Sequence, residues 1–416
     1  MFSIDASPLD PATAYAAIDL HRLDRRAPLL LRTHDAGRTW TVITDGLPRD
    51  EITSVVRTDP VAEGLLFAGT DRAVYVSFDD GGSWQELSNG LPSTWMRDLL
   101  PHAGDLIVAT QGRGLWVLDD VALLREAREA AGRDVHLFTP TVATRLRSSE
   151  SHDTPWPPET ALGQNPPSGA VLDYWLRSAP RGPVTLTITD AAGALVRRFS
   201  SADEPESSSS NRYFEKAWIG ELQRLEATPG AHRFVWDLRY PRPQALDFHY
   251  SIAAIRTEGT PLEPLGAFVL PGRYTVTLTV DGVSMSRPLT VRVDPRVRAG
   301  STALQAQLEL ARACESSLAR AVPACRAMRQ QRDGAGRGTA LADSLAAIAD
   351  APQIGLASVC STIARLMEGI EAADAAPSQG MRDALADCDR RAEALLERWH
   401  ALDAAGVPEK QHATGR

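Results

Sequence analysis

Two hydrophobic rhythms share this chain. Up to about residue 294 the apolar positions fall in short runs or alternate with polar ones; beyond residue 300 they recur every three or four residues. The first rhythm predicts β-strands and the second amphipathic helices. Within the first 125 residues the runs are "AYAAID", "LLLRT" and "TVIT", then "ITSVVRT", "LLFAGT", "AVYVSF" and "WQELS", then "DLLPH", "LIVAT" and "LWVLDD". Three or four short strands in each stretch of roughly 40–45 residues is the period of a propeller blade.

Turn residues punctuate these runs in register. "THDAGRTW" begins at Thr33 and "SFDDGGSW" at Ser77, 44 positions later. Both fit Ser/Thr-x-Asp-x-Gly-x-Ser/Thr-Trp, matching Thr33 with Ser77, Asp35 with Asp79, Gly37 with Gly81, Thr39 with Ser83 and Trp40 with Trp84. "DGLP" (45–48) and "NGLP" (89–92) follow at the same interval, and "FAGTDRAVYV" (67–76) is echoed by "VATQGRGLWV" (108–117). Each residue type in the octet has a structural task. Glycine supplies a positive φ, Asp and the hydroxyls accept loop N–H groups, and the indole covers the corner. A Ca²⁺ site at Asp79 and Asp80 is the rival reading, but an oxygen cage needs about six ligands and the loop offers too few.

The octet resembles the Asp-box, or BNR repeat, of sialidase-like and sortilin-like propellers. "TQGRGLWVLDD" (110–120) resembles the closing segment of large bacterial BNR-propeller proteins of glycosyl-hydrolase type. Those proteins continue into a β-sandwich with "NPPSGA", "WDLR" and "LPGRYTVTL" phrases, present here at Asn165, Trp236 and Leu270. The resemblance covers roughly residues 1–300. It implies an Asp-box turn at the blade periphery, away from the substrate funnel. The sequence opens inside a blade and holds about two and a half blades, whereas closed propellers have four to eight. The expectation is the C-terminal portion of a longer protein, with any propeller active site incomplete.

After about residue 135 the runs lengthen. "GAVLDYWLR" (169–177), "PVTLTITDAAGALVRRF" (183–199), "HRFVWDLRY" (232–240), "GRYTVTLTVDG" (272–282) and "SRPLTVRVD" (286–294) alternate apolar with polar residues, and "DAAG" and "DG" supply hairpin turns. This predicts an immunoglobulin- or fibronectin-like β-sandwich over 135–296. The Ser/Glu-rich stretch 201–211 reads as a mobile loop. Three helices follow. Leu304, Leu308, Ala311, Leu318 and Val322 form one seam, with Glu315 in the skipped slot; Leu356, Val359, Ile363, Leu366 and Ile370 form the second; Met381, Leu385, Cys388, Ala392, Leu395, Trp399 and Leu402 form the third. The segment "RDGAGRG" (332–338) breaks the first helix from the others. The expected organisation is therefore a partial propeller over 1–125, the sandwich over 135–296, a helical bundle over 300–404 and a disordered tail over 405–416. The fold class is mainly β with an α-helical C-terminus. The helical seams read as core or as a surface for oligomerisation.

Composition changes this picture little. A net charge of −9 argues against a nucleic-acid partner. No apolar run is long enough to span a membrane, and the first residues carry neither the basic nor the apolar region of a signal peptide. The compartment is left open, although the resembling proteins are often secreted or periplasmic. The four cysteines, Cys314, Cys325, Cys360 and Cys388, lie in helical sequence at spacings that suit neither zinc nor a small disulfide scaffold.

Chemistry is sparse. The nine histidines form no HExxH or HxH pair, and there is no GxSxG, P-loop or GxGxxG. No metal or cofactor is expected. Glycosidic hydrolysis needs two carboxyl groups across a cleft, and 53 acidic residues cannot be narrowed to a pair by pattern. Arg113 in "QGRG" and Asp119 and Asp120 in "LDD" are the most unusual propeller residues. They read as a strand-end turn and a hairpin or helix cap, or as positions lining a central tunnel. The functional expectation is a non-catalytic piece of a BNR-type propeller protein that contacts protein or glycan. The alternative is a sialidase-like glycosyl hydrolase whose catalytic part lies upstream.

Overall fold

The computed structural model describes residues 3–87, 90–147, 166–204, 223–250, 262–336 and 338–405. Asn165, most of the 201–211 stretch and the tail from 406 lie outside them. The chain divides into two compact units. One comprises Met1–Thr141, Asp173–Ala179 and Pro229–Ala231; the other comprises Val142–Leu172, Pro180–Thr228 and His232–Arg416.

The first unit is built from three small antiparallel sheets. Blade 1 contains β1 (Ser3–Ala6), β2 (Ala14–Ala17), β3 (Leu30–Thr33) and β4 (Thr41–Val42). Blade 2 contains β5 (Thr53–Thr58), β6 (Leu66–Thr70), β7 (Val74–Ser77) and β8 (Gln85–Glu86), and blade 3 contains β9 (Met96–His102), β10 (Asp105–Thr110) and β11 (Leu115–Leu118). Each is a meander of neighbours in sequence, as short connections dictate. The first blade corrects the sequence reading, which opened the chain inside a blade: Ser3–Ala6 pairs with Ala14–Ala17 and completes the sheet. Four residues are too few for their alternation to register as a strand.

The blades stack in chain order, with β1 and β2 against β5, and β5 and β6 against β9. Tyr15, Ala17 and Leu30 of blade 1 pack with Val56, Leu66, Ala68 and Tyr75 of blade 2. The other face of blade 2, with Val55, Phe67, Val74 and Val76, packs on Met96, Leu99, Leu106 and Val108 of blade 3. The "DGLP" phrase seals the first contact: Gly46, at φ 88°, leaves room that a Cβ would take from the Trp84 carbonyl.

The second repeat, between 67–76 and 108–117, holds with one adjustment. The hairpin of blade 2 closes from the Thr70 N–H to the Ala73 carbonyl, and that of blade 3 from the Thr110 N–H to the Gly114 carbonyl. Blade 3 thus carries one extra turn residue. Thr70 matches Thr110 before the turn, and Tyr75 matches Trp116 after it.

After β11 the chain forms α1 (Ala122–Ala131) and β12 (Val135–Leu137). The second unit begins with β13 (Ala143–Arg145). Along the chain next come β14 (Ala170–Leu176), whose Tyr174–Leu176 fall in the first unit and pair with β12 there, then β15 (Thr185–Asp190) and β16 (Leu195–Ser200) of the second unit, and β17 (Gly230–Trp236), which begins in the first unit and ends in the second. β18 (His249–Tyr250) and β19 (Leu262–Glu263) make a two-stranded ribbon, and β20 (Gly272–Val280) and β21 (Val283–Val293) form a long hairpin. A five-stranded sheet of order β13-β21-β20-β15-β16 results, antiparallel except for β13 beside β21. The hairpin turns at Asp281 and Gly282, both at positive φ, as a two-residue connection between twisted strands requires. Leu186, Ile188, Val276, Leu278, Leu289 and Val291 are buried.

Four helices complete this unit: α2 (Ser301–Ala335), α3 (Ala340–Ala349), α4 (Leu356–Glu371) and α5 (Gln379–Ala405). The three seams read from sequence face one another in one apolar core. α3 is additional; its Ala-rich sequence is apolar on most sides, so no stripe marks it. Glu315, in the skipped heptad slot, accepts the Ala267 N–H at 3.0 Å and pairs with Arg312 at 2.6 Å. Burial pushes its carboxyl above the usual range. All four cysteines are free and buried, and burial pushes the Cys314 and Cys360 thiols up to about 12.

A charged cluster joins sheet to helices within this unit. Arg145 reaches Asp374 at 2.9 Å, Arg147 reaches Asp374 at 2.7 Å, and Arg239 reaches Glu371 at 3.2 Å. All three guanidinium groups lie over the Phe268 ring, at 5.0, 4.7 and 3.8 Å from its centroid. The acidic partners sit at the C-terminal end of α4, where the helix dipole also favours cations. Nε and Nη1 of Arg145 and Oδ2 of Asp374 are buried without a hydrogen-bond partner.

Candidate functional site

The connections β2–β3, β6–β7 and β10–β11, and the segments leading into β5 and β9, all emerge at one end of the blades, because strand direction alternates across a meander. There they enclose an open notch of about 560 Å³ lined by His21, Asp24, Arg26, Ile52, Asp71, Thr94, Trp95 and Gln111. Blades 2 and 3 contribute from the same two places, and blade 1 from its β2–β3 connection. In blade 2 Asp71 N–H donates to the Ile52 carbonyl at 3.0 Å, and Ile52 N–H donates to Asp71 Oδ1 at 2.9 Å. In blade 3 Gln111 N–H donates to the Trp95 carbonyl at 2.9 Å, and Thr94 Oγ1 donates to the Gln111 carbonyl at 2.9 Å.

Blade 1 supplies the chemistry. A short 3₁₀ turn, His21–Leu23, follows β2 and ends on Asp24 in the left-handed region. The Asp19 carboxylate, 5% exposed, holds His21 Nδ1 at 2.6 and 2.7 Å through its two oxygens and accepts the His21 N–H at 2.9 Å. A carboxylate only accepts, so Nδ1 carries a proton and Nε2 of the neutral ring is left with its lone pair. The imidazole stands edge-on to Trp95, with centroids 5.6 Å apart, and the Arg97 guanidinium lies 4.7 Å from the Trp95 ring. The notch can therefore hold a polar ligand against an indole, hydrogen-bond it from His, Thr, Gln and Arg, and exchange a proton at His21.

The Asp-box octets lie elsewhere. They form the β3–β4 and β7–β8 connections, at the opposite end of the blades. Thr33 Oγ1 accepts the Gly37 N–H at 3.0 Å, and Asp35 accepts the Thr39 N–H at 2.8 Å and its hydroxyl at 2.6 Å. Ser77, Asp79, Gly81 and Ser83 repeat the pattern, with Gly81 N–H to Ser77 Oγ at 2.9 Å, Ser83 N–H to Asp79 Oδ1 at 2.8 Å and Ser83 Oγ to Asp79 Oδ2 at 2.8 Å. Asp80 turns away to Tyr15 at 2.5 Å and Arg32 at 2.8 Å. Asp79 and Asp80 thus serve different partners, and no cluster of three metal-ligating side chains occurs among the described residues.

The Thr39 hydroxyl and N–H hold the Asp35 carboxyl down to about 2, against about 3.9 in an unfolded chain. The sign follows from linkage. The ionised group supports the turn above the unfolded value, and that support is lost as pH falls through about 2. In an NMR titration, Asp35 is expected to titrate well below exposed aspartates, and Thr39→Ala to return it toward them.

The remaining sequence candidates do not converge. Arg113 sits in the β10–β11 turn, two residues from Gln111 at the notch end, and its carbonyl accepts Trp116 Nε1 at 3.0 Å. Asp119 and Asp120 follow the far end of β11, roughly 20 Å of extended chain away. Asp120 accepts the Ala122 N–H at 3.2 Å at the start of α1 and the Thr141 hydroxyl at 3.0 Å. Asp19, His21, Trp95 and Gln111 escaped the sequence reading. The one local signal was the Asp-x-His spacing in "DLH".

No known protein family matches the chain, and no curated protein matches it in sequence. Among solved structures, the GH74 enzyme of Niastella koreensis shares 14% identity over 29% of this chain and 21% of its own, with a TM-score of 0.25. YCF48 bound to a D1 peptide shares 17% over 28% of this chain and 36% of its own, with a TM-score of 0.22. An ancestral GH74 enzyme shares 13% over 69% of this chain and 35% of its own, with a TM-score of 0.23. The chain spans 21–36% of the lengths of these proteins. Its similarity is to β-propeller proteins, is structural, and is distant.

Proposed function

We propose that the chain is a binding module of the BNR/Asp-box propeller kind, followed by an immunoglobulin-like β-sandwich and a helical bundle, whose notch takes a polar, sugar-like ligand. The notch carries this reading. Loops of three blades converge on one open hollow that pairs an indole with several hydrogen-bonding side chains, the composition of a site for a polar ring. Titration of tryptophan fluorescence with a panel of neutral and acidic oligosaccharides tests it. Saturable binding that Trp95→Ala weakens about tenfold or more is expected, since a central indole is a frequent hot spot. Absence of binding across the panel, or binding indifferent to Trp95→Ala, rejects the reading.

His21, held by Asp19, favours a second reading, because it lines the same hollow as Asp24 and Asp71. It is a glycan-processing hydrolase whose catalytic set is completed by groups outside this chain. Hydrolysis of aryl glycosides or sialosides that is lost on His21→Ala and Asp24→Asn would favour it over the first.

A further inference from the structure

The blades repeat two faces, and blade 2 shows what each face packs against. Its face toward blade 1 carries Val56, Ala68 and Tyr75, paired across β5, β6 and β7 and 0, 0 and 3% exposed. The Asp-box interval matches Tyr75 with Leu31 of blade 1, and the pairing of Leu31 with Ala16 and of Ala16 with Ile4 makes those two the counterparts of Ala68 and Val56; Val42 continues the row. Here the small Ala16 is covered, at 1%, but the large side chains flanking it are open: Ile4 is 54% and Val42 58% exposed. Trp40 is 37% exposed, while its counterpart Trp84 is 3% exposed under blade 1.

The opposite face of blade 2 tells the same story. Phe67, Val74 and Val76 are 0, 0 and 3% exposed beneath blade 3. Once the extra turn residue is allowed for, their counterparts are Ile107, Leu115 and Val117. Leu115 is 74% and Val117 52% exposed, and Leu100, paired with Ile107, is 51% exposed. The segment after β11 does not cover them. α1 goes to blade 2, where Arg125 holds Asp59 at 3.0 Å and Arg128 donates to the Phe78 carbonyl at 2.9 Å.

The open face of blade 3 is thus the kind that receives a following blade, and the open face of blade 1 is the kind such a blade presents. That contact is made twice inside the unit, so the two open faces are complementary to each other. We propose that a second copy of this chain seats its blade 1 on blade 3 of the first, and receives blade 1 of the first on its own blade 3. Two copies then close a ring of six blades, within the range of closed propellers. A head-to-tail contact that closes avoids the open-ended association such faces otherwise invite. The contact is independent of what the notch binds.

Light scattering on the full chain tests this. The expected mass is twice the 45.0 kDa of one chain. Leu115→Arg and Ile4→Glu, at exposed sites, should each return the single-chain mass with an unchanged thermal melt. Mixing the two variants should restore a two-chain particle, because the blade 3 face of one and the blade 1 face of the other are intact. A single-chain mass for the unaltered protein overturns the proposal and leaves these faces to blades outside this sequence. A two-chain mass indifferent to both substitutions moves the contact elsewhere, to the helices for example, and overturns it too. Variants that dissociate but do not recover on mixing place like faces together, and a ladder of higher masses denies closure; either result overturns it.

Discussion

An Asp374→Ala variant is expected to lose about 3–5 kcal/mol of unfolding free energy in the second unit, the usual consequence of removing one partner from a buried ion pair. Asp374 and Arg145 are 3% and 2% exposed and lie 2.9 Å apart. Without the carboxylate, Arg145 and Arg147 lose the Asp374 Oδ1 they share, and Glu371, 3.4 Å from Arg147, is the anion that remains beside them. A guanidinium cannot shed its proton to escape, as a lysine can. Water would have to enter, or the cluster would have to open. Urea denaturation of the full chain, with the transition of the second unit followed separately, measures the loss. The pair replacement Arg145→Met with Asp374→Leu is the control. It removes both charges together and should recover most of the lost stability, since apolar residues of similar volume often serve as well. A loss below about 1 kcal/mol for the single variant would indicate that the cluster is solvated, in contradiction to its burial.

The two Asp-box tryptophans are expected to differ sharply despite occupying the same position in the same motif. Trp84→Ala should destabilise the first unit by about 3–5 kcal/mol, as large-to-small changes at buried aromatics do. Its indole is almost wholly buried between blades 1 and 2, Nε1 donates to the Ile43 carbonyl at 2.8 Å, and its N–H reaches the Asp45 carbonyl at 2.9 Å. Trp40 donates Nε1 to the Gly37 carbonyl of its own turn at 3.2 Å and is partly exposed. In a single chain, Trp40→Ala should cost about 1 kcal/mol or less, within the range of surface substitutions. Thermal melts at a concentration where the chain is dissociated compare the two. Equal losses would show that the octet, and not the blade packed upon it, sets the energy.

The contrast marks where the sequence is legible. The octet can be read from residues alone because its donors, acceptors and positive-φ glycine lie within eight consecutive positions. The helical seams are legible for the same reason, since a stripe repeats every turn. The strand Ser3–Ala6 and helix α3 were missed, one too short to show a period and the other too uniformly apolar to show a face. The notch was beyond reach for a different reason. His21, Asp71 and Gln111 meet through blade stacking, and their separation along the chain reflects the length of a blade. Only the Asp19–His21 spacing was local, and a lone Asp-x-His is too common to single out. The buried charges are similar: Arg145 and Asp374 are 229 positions apart, and neither differs in sequence from the many surface arginines and aspartates.

The recurrence of one pair of faces also bears on how such a chain changes over generations. Any event that duplicates or deletes a whole repeat joins surfaces already suited to each other, so it creates no new junction for selection to repair. Such a lineage can vary in blade number at little structural cost, whereas a shift of a single residue inside a strand would turn its apolar side outward.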